Sequence, residues 1–334
     1  MRPVYTVGMR RGTTARGMRA LSALVLGIVL AGCAAASIAE SPVRVAAVDP
    51  PAPGDTSTRT TVDFELEGIP RTAVVEHAAS SADQGSLGQS ATQKLYPALI
   101  LLHGANGSSE RIERMSGMTD VAGPDGFVVA YPQGTALGSR VPGFAWNAGA
   151  CCGTPAAEQR EDVAFIEALI EKLVADNSVD PTRIYLAGFS NGGMLAYKFV
   201  CDSQIPIAGI AVVGGAQNTG ACRAPHPTRV LIVHGTGDPT VPYHGGYPKT
   251  REGKDILRWV NTSVAFAERF WTVRDSCVAS AVAPIAPHVS GRTHTGCAEG
   301  TSVTVATVRG AKHEWRRTDE FDTSKLILTT FGLE

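Results

Sequence analysis

Short apolar runs recur along the chain and alternate with longer segments of helical periodicity. Most of these runs lack polar alternation, which is typical of strands buried on both faces of a sheet. Strands that alternate with helices predict right-handed crossovers and a mostly parallel, doubly wound sheet of the α/β class. The predicted strands are Ala98–Leu102, Phe127–Ala130, Ile184–Leu186, Ile207–Val213, Val230–Val233 and Val303–Val308.

Three other patterns are clear before and between these runs. Residues 161–175 carry an apolar stripe at helical spacing, and Asp162 at its start is predicted to cap that helix. Thr61–Leu66 and Arg71–Glu76 alternate apolar and polar residues, as a half-buried hairpin does. The Ser- and Gln-rich stretch 80–92 is predicted to be a loop.

The first 60 residues differ in composition from the rest. Residues 1–32 contain five arginines, no acid and a 13-residue apolar run, which is too short for a hydrocarbon core of about 30 Å. They are predicted to be an export signal. Residues 33–60, rich in Ala, Pro, Ser and Thr, predict a flexible tether, and residues 61–334 fit one large domain without internal repeats.

The signal ends in Leu30-Ala31-Gly32-Cys33, which resembles a bacterial lipobox. The resemblance implies cleavage before Cys33, lipidation of its thiol and anchoring to the cell envelope. Ordinary secretion, with Cys33 left as a spare thiol, is the alternative, because small residues before the cut suit any signal peptidase.

Charge narrows the choice of partners. Removal of the signal takes five of the 30 basic residues and leaves 25 against 31 acidic ones, about six net negative charges. No basic stripe is present, which argues against a nucleic-acid partner.

Six cysteines remain besides Cys33, and an exported chain meets an oxidising compartment where disulfides form. Two pairs of these cysteines, named below, are each separated by about 20 residues, and a disulfide that closes a loop of this length stabilises the fold. Adjacent Cys151 and Cys152 either form a disulfide with each other or stay reduced. A zinc site at this pair is the least favoured alternative, because no CxxC or HExxH motif accompanies it. The predicted disulfides are Cys201–Cys222 and Cys277–Cys297.

The segment Gly188-Phe-Ser190-Asn-Gly192 lies where an apolar run meets a helical one. This is the pattern of a nucleophile elbow, in which small residues allow a sharp turn that exposes the serine hydroxyl. Ser190 is therefore the candidate nucleophile. An incidental serine in a Gly-rich loop is the alternative.

A serine nucleophile needs a base, and the base needs a group that orients it. Asp238 lies just past the run Val230–Val233, and His313 follows Val303–Val308. Asp238 is the candidate orienting acid and His313 the candidate base. Because ligands bind beyond the carboxyl ends of parallel strands, these groups are expected at one edge of the sheet.

Alternative structural roles for Asp238 and for several histidines stay open. Asp238 precedes a proline and could form only a turn. His234 lies inside a strand end and is predicted to be structural, and His103 is predicted to shape its loop. Four further histidines are expected in loops that no strand leads to, or in a Gly-rich loop: His226, His244, His288 and His294.

Ester hydrolysis also needs donors for the developing oxyanion. The loop Leu102-His103-Gly104-Ala105 follows an early strand, and Asn191 follows the nucleophile. We predict that the backbone N–H groups of Asn191 and Ala105 form the oxyanion hole. A simple Gly-rich turn is the alternative for the early loop.

Together these motifs resemble the esterase and polyhydroxybutyrate depolymerase family, in a lipoprotein-type branch that includes feruloyl and acetylxylan esterases of carbohydrate esterase family one. The match spans Pro97 to Trp315. The resemblance implies an alpha/beta-hydrolase fold, a triad of Ser190, Asp238 and His313, and no metal or organic cofactor. Its further motifs are Tyr131-Pro132-Gln133-Gly134, Trp146-Asn147, Cys151-Cys152-Gly153, Asp162-Val163-Ala-Phe165-Ile166 and His234-Gly-Thr-Gly-Asp238.

The chain departs from the family around the base. The family usually has Gly-x-Gly-His-x-Trp-Pro-Gly, whereas this chain has Gly310-Ala-Lys312-His313-Glu-Trp315-Arg-Arg317. Lys312, Arg316 and Arg317 are predicted either to rim the site with positive charge, which would favour an anionic ester, or to anchor the loop. Candidates for an apolar substrate pocket, or for core, are Phe189, Trp146 and Tyr243.

The leading hypothesis is a secreted or surface-anchored serine carboxylic-ester hydrolase. It is expected to act through an acyl-enzyme on a small or oligomeric ester, since no polymer-binding segment follows His313. An acyltransferase on the same fold is one alternative, and a non-catalytic surface lipoprotein that serves as a binding module is the other. The sequence leaves the oligomeric state open.

Overall fold

The computed structural model describes residues 44–45, 59–77, 95–121, 126–176, 179–249, 252–254 and 259–334. The predicted export signal, Cys33, most of the predicted tether and the predicted loop at 80–92 lie outside these ranges. Within them, no helix has the length and apolar character that crossing a membrane requires.

Apolar runs form strands, and the segments between them form helices. The strands are β1 (Arg44–Val45), β2 (Arg59–Leu66), β3 (Ile69–Glu76), β4 (Tyr96–Leu102), β5 (Val128–Pro132), β6 (Thr135–Gly138), β7 (Val141–Ala145), β8 (Val179–Phe189), β9 (Gly209–Val213), β10 (Arg229–Gly235), β11 (Ala279–Ala286), β12 (Val289–Thr295) and β13 (Val303–Val308). The helices are α1 (Ser109–Ser116), α2 (Gly153–Ala157), α3 (Asp162–Asp176), α4 (Asn191–Asp202), α5 (Val264–Arg274) and α6 (Thr323–Phe331).

Eleven of these strands form one mixed sheet in the order β1-β2-β3-β5-β4-β8-β9-β10-β13-β12-β11. The six central strands, in the order β5-β4-β8-β9-β10-β13, are parallel to one another. Antiparallel strands extend the sheet at both edges. The parallel strands predicted from the apolar runs and the predicted hairpin, β2 with β3, are therefore confirmed.

Side chains of the central strands alternate between two cores, one on each face of the sheet. Within β4, Ile100 and Leu102 belong to the core covered by α3, α4 and α5, whereas Leu99 and Leu101 face the core covered by α1 and α6. Helices on both faces cover the apolar surfaces of the parallel sheet and shield them from water. The chain is doubly wound, as predicted, and has the alpha/beta-hydrolase fold.

The predicted tether needs a correction at one point. Arg44 and Val45 pair antiparallel with Glu65 and Phe64 of β2, and β2 itself begins at Arg59. The edge of a sheet carries unpaired backbone N–H and C=O groups, which a passing segment can satisfy. These residues therefore belong to the sheet.

The predicted cap at Asp162 is also wrong. Asp162 is the first residue of α3, and its carboxylate is buried. Its Oδ1 accepts a hydrogen bond from Arg71 Nη2 at 2.6 Å, and its Oδ2 accepts from the N–H of Asn147 at 2.6 Å. Asp162 thus ties β3 and the loop after β7 to α3, because a buried charge is stable only when it is paired.

Both predicted disulfides, Cys201–Cys222 and Cys277–Cys297, are present. The first joins the end of α4 to the loop before β10, and the second joins the segment after α5 to the segment after β12. Cys151 and Cys152 bridge each other, which settles the choice that their sequence left open.

Candidate active site

Ser190 occupies a sharp turn between β8 and α4. Its backbone has φ 55° and ψ −120°, a conformation that non-glycine residues rarely adopt. Two hydrogen bonds hold the turn: the N–H of Ser190 donates to Val213 O at 2.8 Å, and Ser190 O accepts from the N–H of Met194 at 2.9 Å. This is the geometry of a nucleophile elbow, in which observed strain points to function.

Two glycines make this turn possible. A Cβ at Gly188 would overlap the backbone of Gly192, and a Cβ at Gly192 would overlap the backbone of Leu102. Strand β8, strand β4 and the first turn of α4 can therefore approach each other only because these positions have no side chain.

Asp238 and His313 come together at the carboxyl edge of the sheet. Asp238 follows β10, His313 follows β13, and these strands are parallel neighbours. The Nδ1 of His313 lies 2.7 Å from Oδ2 of Asp238. The other carboxylate oxygen, Oδ1, accepts from the N–H groups of Thr240 at 2.8 Å and Val241 at 2.9 Å.

The Asp238 side chain is fully buried, and His234 is a second imidazole beside it. Nε2 of His234 lies 3.4 Å from Asp238 Oδ2 and 2.8 Å from Val241 O. Burial opposes ionisation of the Asp238 carboxyl, but hydrogen bonds from His234 and His313 outweigh it and hold the pKa of Asp238 well below its usual range. Asp238 is therefore a carboxylate that can orient an imidazolium.

A cavity of about 330 Å³ is lined by three of the candidate site residues, whereas Asp238 and Asn191 are not on its wall. Ser190, His313 and Ala105 all lie on its wall. The ring of Phe189 also lines it, with its centroid 4.8 Å from that of the His313 ring. The remaining apolar wall is formed by Ile112, Met115, Met194, Val241 and Trp259.

Two of the three predicted pocket aromatics lie elsewhere. Trp146 is completely buried, and the hydroxyl of Tyr243 forms a 2.9 Å hydrogen bond with Thr307 Oγ1. Neither residue lines the cavity, so only Phe189 of that set is part of its wall. The vicinal disulfide of Cys151 and Cys152 does line it, which no pattern in the sequence indicated.

Of the two roles predicted for the cations near His313, a cationic rim or anchoring of the loop, the ion pairs fit anchoring, and none of these cations lines the cavity. Nη1 of Arg316 lies 3.1 Å from Glu314 Oε1, and Nε of Arg317 lies 3.3 Å from Asp322 Oδ2. Lys312 lies on a different, smaller cavity. The cation on the wall of the 330 Å³ cavity is Arg111 of α1 instead.

His103 shapes the early loop, as predicted. Its Nε2 accepts a hydrogen bond from the N–H of Gly134 at 3.0 Å, so the ring proton is on Nδ1, which lies 2.9 Å from Gly104 O. Burial lowers the pKa of His103 to about 4, despite that bond to Gly104. The ring is neutral near pH 7 and holds the loop that carries Ala105.

The side chain of Asn191 links the elbow to the opposite wall. Its Oδ1 accepts from the N–H of Trp146 at 2.8 Å, and its Nδ2 donates to Trp146 O at 3.1 Å and Cys151 O at 3.3 Å. The indole N–H of Trp146 in turn donates to His103 O at 2.8 Å. The residue after the nucleophile thus connects both loops around the cavity. The sequence predicts a role only for the backbone N–H of Asn191, in the oxyanion hole, and not for its side chain.

Asn191→Asp is expected to lower the free energy of unfolding by roughly 3 kcal/mol near pH 7. The substitution leaves a buried charge whose second oxygen faces two carbonyl oxygens instead of donating to them. The deficit should shrink as the pH falls and the new carboxyl is protonated. Urea unfolding at several pH values measures it. Asn147→Asp is the control, because that amide is only partly buried and donates to one carbonyl, of Arg160.

No group of three or more His, Cys, Asp or Glu side chains in the described ranges is placed to hold a metal ion.

A family model described as Phospholipase/Carboxylesterase matches residues 89–258. NocK of Nocardia uniformis subsp. tsuyamanensis, a protein named as an esterase, is 27% identical over 328 residues, covering 91% of this chain and 90% of that protein. Feruloyl esterase B of Piromyces equi is 31% identical over 229 residues, covering 66% of this chain and 40% of that enzyme.

A solved structure gives the same fold. An acetyl xylan esterase from Aspergillus awamori superposes with a TM-score of 0.50 at 11% identity, covering 79% of this chain and 94% of that one. At this identity the similarity shows the fold alone.

Proposed function

Since the chain belongs to the phospholipase/carboxylesterase family and is a carboxylic ester hydrolase, we propose that it acts as a serine esterase through Ser190, His313 and Asp238. The observation that carries this proposal is the 2.7 Å hydrogen bond between His313 and Asp238, on a cavity whose wall includes the strained elbow of Ser190. Nucleophile, base and orienting acid are the three roles that such a triad needs.

The first half of the reaction forms an acyl-enzyme. Because Nδ1 of His313 donates to Asp238, its Nε2 carries the free electron pair and takes the proton as Ser190 Oγ attacks the ester carbonyl. The backbone N–H groups of Asn191 and Ala105 are the proposed donors to the oxyanion. Collapse of the tetrahedral intermediate breaks the ester bond, and the imidazolium gives its proton to the departing alkoxide.

Water completes the cycle. His313 takes a proton from the water molecule as the water attacks the acyl carbonyl, and it returns that proton to Ser190 Oγ when the acid leaves. This scheme uses side chains, backbone donors and water, so it requires no metal or organic cofactor.

We propose three ester classes as substrates: feruloyl esters, acetyl esters and short 3-hydroxybutyrate oligomers. The first is suggested by the name of a relative, and the other two by the motif resemblance. The apolar wall with Phe189 and Trp259 suits an acyl or aryl group of moderate size.

A substrate panel tests the proposal. The purified protein is assayed with p-nitrophenyl acyl esters, methyl ferulate and 3-hydroxybutyrate oligomers, with and without an added alcohol acceptor. We expect free acid as the product, with the preferred ester identifying the substrate class. Product ester formed in preference to free acid would make the protein an acyltransferase. No turnover by folded protein would favour the binding module.

Export to an oxidising compartment is part of the same proposal. The two disulfides between distant cysteines support it, because such bonds are rare in reducing compartments. Anchoring to the cell envelope by a lipid on Cys33 is proposed from the lipobox-like sequence. A Cys33→Ala variant is expected to leave the membrane fraction, and its retention there would contradict the anchor.

A further inference from the structure

Arg111 is the one fully ionised side chain among the described residues that line the active-site cavity. The other titratable side chains on that wall are His103, which is held neutral, and the proposed base His313. No carboxylate of the described residues lies on the wall. A cavity with one cation and no compensating acid favours ligands with negative charge.

The guanidinium of Arg111 is available to a ligand. Nη1 makes a long hydrogen bond of 3.4 Å to Asn106 O, and among the described residues no carboxylate lies within ion-pair distance of it. The nearby Arg114, by contrast, is paired with Glu110 at 3.9 Å across one turn of α1. A planar guanidinium with free donors matches the two oxygens of a carboxylate.

Helix α1 places this cation next to the apolar part of the wall. Ile112 and Met115, on the same helix, line the cavity together with Arg111. A ligand on this wall therefore meets an apolar surface and one charged group on the same element. That combination suits an ester with a short aliphatic body and a free acid group.

From this placement we infer that Arg111 binds a free carboxylate on the substrate, so that the enzyme selects esters that carry an acid group over neutral ones. The inference rests on the proposed ester hydrolysis at Ser190. It also distinguishes the proposed substrate classes: a linear hydroxyacid oligomer ends in a carboxylate, whereas acetyl and feruloyl esters of sugars are neutral.

The test compares an acid with its neutral isostere. The linear 3-hydroxybutyrate dimer has one ester bond and one carboxylate, and its terminal carboxamide has the same shape without the charge. For the wild type, kcat/KM should be higher for the acid than for the carboxamide. Arg111→Gln should lower kcat/KM for the acid by about 10- to 100-fold, the usual effect of losing a charged hydrogen bond, and change the carboxamide by less than about threefold.

Two controls isolate the guanidinium. Arg114→Gln removes a cation from the same helix but not from the cavity wall, and it should leave both substrates unchanged within about twofold. Arg111→Lys should recover part of the loss for the acid, because it keeps the charge without the fork. Higher salt should reduce the preference of the wild type for the acid.

The outcomes separate this inference from the proposed function. An equal loss for acid and carboxamide in Arg111→Gln, or no loss for either, would overturn the role of Arg111. The same conclusion follows if the wild type hydrolyses p-nitrophenyl acetate but shows no preference for the acid. If no ester at all is hydrolysed by the folded wild type, the proposed function itself fails.

Discussion

Ser190→Ala is expected to lower kcat for ester hydrolysis by about 10⁶-fold, the scale seen when other serine hydrolases lose their nucleophile. Alanine cannot form the acyl-enzyme, and only binding and the oxyanion donors then remain. Both residues carry a Cβ, so the strained backbone at φ 55° costs the same in each, and the fold should be unchanged. Steady-state kinetics on the preferred ester gives the loss.

The control for this variant is its thermal stability. A melting temperature equal to that of the wild type would show that the lost activity comes from the missing hydroxyl alone. Activity within about tenfold of the wild type would mean that another residue is the nucleophile, and the reading of the elbow would then be wrong.

Asp238→Asn is expected to lower kcat by about 10⁴-fold while KM changes little. The carboxylate now accepts from Nδ1 of His313 at 2.7 Å. An amide placed with its NH₂ toward the ring would donate instead, which favours the other tautomer and removes the free electron pair from Nε2. The imidazolium formed during attack would also lose its counter-charge. Pre-steady-state and steady-state kinetics with p-nitrophenyl esters measure the effect.

Asp180→Asn is the matched control. Asp180 also precedes a proline, and its Oδ1 accepts from the N–H of Thr182 at 2.9 Å, as Asp238 accepts from Thr240. Asp180 differs because it is only half-buried, lies at the start of β8 and does not line the cavity. Its substitution should leave kcat unchanged. If both variants had the same small effect, Asp238 would be a turn residue and no member of a triad.

The parallel core and the elbow could be predicted because their signals are local. Strands buried on both faces have uninterrupted apolar sequences, such as Val230–Val233. The two glycines near Ser190 indicate that backbone segments approach each other closely there. Asp238 and His313 follow from the rule that parallel strands end at one edge. The sheet then brings these distant loops together.

The edge hairpin of β11 and β12 could not be predicted in this way. Nearly all residues of β11 are exposed, and β12 is largely polar, so neither strand shows the alternation that one buried face imposes. His294, expected in a loop, lies on β12, where its Nε2 is 2.7 Å from Glu268 Oε1. This edge is formed by backbone hydrogen bonds between β12 and β13. Backbone hydrogen bonds place few demands on side-chain type, so the sequence pattern does not indicate them.

The choice between a cationic rim and loop anchoring could not be made from the sequence, for a related reason. Lys312, Arg316 and Arg317 are close to His313 in sequence, but sequence proximity does not set the direction of a side chain in a loop. Arg111 is about 200 residues away and reaches the cavity through α1. Likewise Asp162 was assigned a local cap, although its partner Arg71 comes from a distant strand. Long-range ion pairs are decided by packing, which no short window reveals.

The central claim is that Ser190 is the activated nucleophile of this site. Incubation of the purified protein with a fluorophosphonate, followed by digestion and mass spectrometry, tests it most directly, because this reagent bonds preferentially to activated serines. We predict one adduct, located on Ser190, with labelling slowed by an ester substrate and nearly abolished in Asp238→Asn. A folded protein that takes up no label, or takes it up on another serine, would contradict the claim.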